Sequence, residues 1–120
     1  MDRTFLLLGA VAAFLAVALG AFGAHGLRGR LAPEMMAVFQ TGVQYHMYHA
    51  LALVLVSAMM GRLGGWLIQT AGWAFVAGIV LFSGSLYALA LSGVTTLGAI
   101  TPLGGVAFLV GWACLAFAAF

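Results

Sequence analysis

Gln44–Leu53 reads QYHMYHALAL. Two histidines and two tyrosines run directly into an aliphatic stretch that continues to Met60. Counting back from Arg62, a bilayer-crossing helix of about 20 residues begins near Gly42. His49 and His46 then lie about 20 and 24 Å from the Arg62 end, inside that helix but near its opposite mouth. The rest of the sequence agrees with a lipid location for this segment. The chain has 120 residues, of which 66% are hydrophobic and 5% charged. Soluble domains carry about 25% charged residues, so most of this surface is suited to lipid rather than water.

Upstream, Arg3 and His25 bracket 21 uncharged residues. That run is about 31 Å long as a helix, one bilayer core. Small residues recur at Ala12, Ala16, Gly20 and Ala24, a stripe that lets a second helix approach closely. Its charged start and small-residue end resemble a signal peptide. Three further apolar segments follow, so it reads as a retained span.

After the polar break HGLRGRLAP, Pro33 suits the first turn of a helix and Glu34 its positive end. A helix from there to Met60 would be about 42 Å long, too long for one upright span. The expectation is a bend at Gly42, with residues 33–41 as an interfacial helix. Met36, Phe39, Val43, Met47 and Ala50 form one helical stripe for lipid or a neighbouring helix.

Downstream, the GRLGG turn leads to a third span, Trp66 to Leu91, with Gly93 as its stop. Thr101-Pro102 reads as a cap and first-turn proline for the last span, Pro102 to Phe120. The expected fold is all-α: a polytopic membrane protein forming a single four-transmembrane-helix bundle. Its spans are about 4–24, 42–61, 66–91 and 102–120. Arg3 and Arg62 share one side, and Arg28 and Arg30 the other. The tight Arg62 turn and the amino terminus favour cytoplasmic termini in a bacterial inner membrane.

Polar residues of three helices fall in one half of the membrane. His25 closes the first helix there. Gln40, Gln44, Tyr45, His46 and His49 lie at that end of the second. Ser83, Ser85 and Tyr87 lie at the matching depth of the third. Such a cluster suits an interhelical hydrogen-bond network that fixes packing. The alternative is a polar pocket for a lipid, quinone, haem or metal. His25, His46 and His49 are the candidate metal ligands, since neutral imidazoles bind zinc, copper and haem iron. His49 is expected to face the Ser83/Ser85 level of the third helix, with His46 nearer the mouth and His25.

Other chemistry is poorly supplied. The sequence has no Ser/His/Asp order, no paired carboxylates and no phosphate loop, so it does not read as an enzyme. No acidic residue lies within a span, where proton and ion relays commonly use one. A net charge of +2 spread over the chain does not suit nucleic acid. Cys114 stands alone, so no intrachain disulfide forms. Membrane lipid is the expected surrounding partner, with a homo-oligomer or another membrane protein as further candidates.

Four motifs occur in order: GAFGAHGL ending the first span, FQTGVQYHMYHALAL entering the second, LFSGSLYALALSG in the third and TPLGGVAFLVGW in the fourth. Together they resemble the family labelled domain of unknown function 423, the YgdD-like small integral membrane proteins. The resemblance covers nearly the whole chain. It implies a four-span inner-membrane protein, and it brings no established activity, cofactor or catalytic residue. The family's motif positions fall largely on the polar cluster, including His25, Gln40, Tyr45, His49, Ser83, Ser85 and Tyr87. His46 is the histidine least expected to be shared.

Overall fold

A computed structural model of the chain describes residues 2–120. Among them all regular structure is helical. Helix α1 runs Asp2–His25, α2 Pro33–Met59, α3 Trp66–Gly78, α4 Gly84–Ser92 and α5 Thr101–Ala119. A π-helical turn, Ile79–Ser83, joins α3 to α4, and a 3-10 turn, Thr95–Ala99, precedes α5. Three helical stretches are long and apolar enough to cross a membrane: Arg3–His25, Trp66–Ser92 and Thr95–Ala119.

Helix α2 is long enough, at 27 residues, but less apolar, because it carries Gln40, Gln44, both histidines and both tyrosines. It is nevertheless well enclosed. Phe39, Ala50 and Val56 are fully buried, and His46 and His49 are 5% and 4% exposed. Pro33 opens it and Glu34 sits in its first turn, as their chemistry requires. The helix is continuous through Gly42, and residues 33–41 are its first turns. Phe39, in those turns, packs on Gly23 of α1 and against the Tyr87 ring of α4. Gly42 interrupts nothing. Its missing side chain makes room for Tyr87, whose ring carbon would lie 2.9 Å from a Cβ there.

Helices α1 and α2 pair antiparallel along most of their length. Gly20 faces Val43, and Gly9 faces the Ala50 carbonyl and Leu53. Small residues thus carry this contact, as the first-span stripe predicts, with Ala16 buried in it. The stripe Phe39, Val43 and Ala50 turns to the neighbouring helices rather than to lipid. On the far side, α3 and α5 form the second extensive pair. The backbones of α2 and α5 stay apart and meet through aromatic side chains.

Two apolar cores result. One, toward the Arg62 end, holds Phe5, Leu53, Val56, Ile68, Phe75 and Phe108. The other, toward the opposite mouth, holds Leu27, Phe39 and Ala90. Between them lie His46, His49, Ser83 and Ser85. Away from α2 the outer surface is largely apolar, with Phe14, Leu109 and Phe117 among its most exposed large side chains. The molecule measures 47 × 26 × 18 Å. Its long axis suits a bilayer of about 40–45 Å with headgroups.

Helix ends follow local chemistry. Gly93 stops α4 in a left-handed conformation, φ 74°, as L side chains rarely do. Thr101 does not cap α5, contrary to the sequence expectation. It is the first residue of the helix, and its hydroxyl is directed to Ser85 instead.

Candidate functional site: a polar layer between two apolar cores

His49 projects from α2 toward α5, and both ring nitrogens are engaged. Nδ1–H donates to the Tyr45 carbonyl one turn earlier, at 2.7 Å. The Trp112 Nε1–H of α5 donates to Nε2 at 3.0 Å. A carbonyl only accepts and an indole N–H only donates, so the proton sits on Nδ1 and a lone pair on Nε2. Phe108 lies flat on the imidazole, with centroids 3.5 Å apart and planes 8° apart. Phe75 and Trp112 complete the surround at 5.5 and 5.8 Å. The expected partners, Ser83 and Ser85, do not touch His49. Packing against α5 supplies its partner, Trp112.

His46 points a different way. Its Nδ1 is 2.8 Å from the Tyr87 hydroxyl of α4, and the Ala12 backbone of α1 adjoins the ring. His46, rather than His49, is therefore the histidine placed to hydrogen-bond with the third span. Three residues on a helix differ by about 60° in direction, enough to send one imidazole to α4 and the other to α5.

The serines divide in the same manner. Ser83 Oγ donates to the Gly42 carbonyl of α2 at 2.7 Å. Ser85 Oγ donates to the Phe82 carbonyl at 2.9 Å and lies 2.6 Å from the Thr101 hydroxyl. A hydroxyl has one hydrogen, so Thr101 is the donor in that last contact. Ser83 thus holds α4 to α2, and Ser85 holds it to the start of α5. The π-helical turn ends at Ser83. Such turns insert one extra residue and re-aim the side chains that follow. Gly104 of α5 sits against the Phe82 backbone of this turn, an approach that only glycine permits.

Except for Tyr45, whose carbonyl and ring both meet His49, the remaining sequence-derived candidates lie outside this layer. His25 is exposed at the end of α1. Gln40, Gln44, Tyr45 and Tyr48 sit on an exposed face of α2, where the Gln44 amide donates to the Tyr48 hydroxyl at 2.8 Å. His25, His46 and His49 are not brought together, and no group of three or more His, Cys, Asp or Glu side chains suited to a metal forms among the described residues. Sequence reasoning missed Trp112 and Phe108, and gave Thr101 the role of a helix cap rather than a partner of Ser85. A signal existed for Trp112: an indole N–H deep within a span requires an acceptor there.

Two lateral crevices border the layer. One, of about 420 Å³, is lined by Tyr45, Tyr48, His49, Phe82, Phe108 and Trp112, among others. The other, of about 230 Å³, lies among Leu8, Ala12, Leu15, Leu53 and Ile79, with His46 in its wall. Among the described residues, no buried side-chain nitrogen or oxygen lacks a hydrogen-bond partner.

The family model described as "Protein of unknown function (DUF423)" matches residues 19–105. The chain belongs to this family. It is 55% identical over 118 residues to the UPF0382 membrane protein YwdK of Bacillus subtilis, covering 98% of this chain and 96% of that one. It is 45% identical to a UPF0382 membrane protein of Staphylococcus aureus, with the same coverage. A Staphylococcus epidermidis relative of the same description is 47% identical over 97% of this chain and 94% of its own. No solved structure matches the chain. These are membrane proteins by name, and nothing in them indicates catalysis or a specific ligand. The chain is a member of an uncharacterised membrane protein family.

Proposed function

We propose that this chain is a non-catalytic, four-span component of the bacterial inner membrane, whose polar layer joins its helices. The supporting observation is that, among the described residues, no buried side-chain nitrogen or oxygen lacks a hydrogen-bond partner. A catalytic or ligating group needs an atom left available for chemistry. Here His49 has both nitrogens engaged within the protein, and His46 has Nδ1 at Tyr87. In hydrocarbon an unpaired polar group costs several kcal/mol, so a closed network favours one arrangement of helices.

In this reading α2 is the fourth span. Its histidines face other helices, so its low apolarity does not bring them into contact with lipid. The termini and the Arg62 turn lie in the cytoplasm, and the Arg28–Glu34 segment lies outside, by the arginine distribution.

The wider crevice favours a second reading, binding of a flat lipid-soluble molecule. Its volume lies within the range of small-molecule sites, and its walls are aromatic. Purification without chelator, followed by metal analysis, an absorption spectrum and mass spectrometry of extracted lipids, separates the two. The structural reading expects no stoichiometric metal, no Soret band and no enriched quinone. Any one of these at one per chain overturns it.

A further inference from the structure

The exposed face of α2 is polar where a lipid-facing surface should not be. Gly20 of α1 packs on Val43, so Gln44 is level with a residue five positions inside the His25 end of the first span. That is about 7 Å below the mouth, and Tyr48 is about 6 Å deeper. Both are exposed, Tyr48 to 51%. Gln44 gives one amide hydrogen to Tyr48. Its second N–H, its carbonyl oxygen and the Tyr48 hydroxyl hydrogen have no partner among the described residues. The bilayer offers them none at that depth.

The face has a regular seam. Ala37, Gln44, Leu51 and Ala58 are exposed at seven-residue spacing, with Gln40, Tyr48 and Leu55 exposed between them. A seven-residue repeat is the pattern of helices that wind around one another with a left-handed crossing. We infer that this face of α2 pairs with the same face of a second copy, forming a two-fold homodimer in the membrane. A carboxamide carries both donor and acceptor, so Gln44 is complementary to itself across a two-fold axis that sets each residue beside its counterpart. A purely accepting partner would leave the Gln44 carbonyl unmet, and a purely donating one would leave both hydrogens unmet. The inference rests on α2 crossing the bilayer.

Oxidative crosslinking in native membranes tests it, in a Cys114→Ser background. Gln44→Cys and Leu51→Cys should give disulfide-linked dimers. Val17→Cys and Phe117→Cys, on exposed faces of α1 and α5, should not. Adding Gln44→Leu to the Leu51→Cys chain should reduce the crosslinked fraction roughly fivefold or more, as loss of an intramembrane amide contact does in model helices. Circular dichroism checks that this outward substitution leaves the bundle folded, and Leu51→Cys alone still tests the face if it does not. Absence of dimer at both 44 and 51, equal crosslinking at 17 or 117, or a monomer carrying a bound lipid-soluble molecule would overturn the proposal. Opposite-side labelling of the two loops flanking α2 establishes the span separately, so failure of the dimer and failure of the span are distinguishable.

Discussion

His49 has one acceptor and one donor for its two nitrogens, and each comes from a different helix. Replacing it by leucine leaves the Trp112 N–H without an acceptor. The expected cost is about 1–2 kcal/mol of bundle stability, in line with other buried hydrogen-bond losses. Trp112→Phe keeps the aromatic packing and removes the donor, so it should cost a similar amount. The double variant should be less damaging than the sum, with a coupling of about 0.6 kcal/mol. Unfolding in mixed detergent micelles, followed by helical circular dichroism, reads all three. Fully additive effects would mean that the two side chains do not interact. Ser83→Ala should weaken the α2–α4 contact by about 1 kcal/mol in the same assay. At this scale the sequence was informative about the depth of the buried histidines and serines and poor about their pairing. The polar side chains could be aligned by depth, because helical rise is fixed. Azimuth decides the partners, and it depends on how neighbouring helices rotate to pack. Hence His46 took the role expected of His49, and Trp112 went unnoticed.

Element boundaries were more legible. Pro33, Glu34 and Gly93 act locally, through a missing N–H, a helix dipole and a left-handed turn, so their effects need no tertiary knowledge. Gly42 is ambiguous for the opposite reason. A glycine in a helix signals either a break or a close neighbour, and only packing tells which. Here the neighbour is Tyr87. The π-helical turn left no local signature at all. Its role shows in two glycines. A side chain at Gly104 would collide with the Phe82 backbone, which cannot yield as a flexible side chain can. Gly104→Leu should therefore displace α5 and sharply lower the melting temperature. Gly84 has open space where a Cβ would go. Gly84→Ala should be neutral or stabilising by about 0.4–1 kcal/mol, since alanine restricts the unfolded chain. Comparable losses at both positions, measured by thermal melts, would remove the special role given to the α5–π contact.

For the whole molecule, composition alone was enough to indicate lipid as the solvent, and the helix count followed from where charges, Gly93 and Pro102 interrupt apolar runs. What composition conceals is how a helix as polar as α2 packs among apolar ones. In the structure its two histidines are paired with Tyr87 and Trp112 and flanked by apolar cores above and below. The segment thus becomes compatible with hydrocarbon only after the other helices surround it, apart from the outward Gln44–Tyr48 face. Helix α2 is proposed to cross the bilayer. Single cysteines introduced by Arg30→Cys and Leu63→Cys, in a Cys114→Ser background, report on the two loops that flank it. Labelling of intact cells and inverted vesicles with a membrane-impermeant maleimide should reach position 30 only from outside and position 63 only from the cytoplasm. Labelling of both positions from the same side would mean that α2 does not span, and would contradict the account.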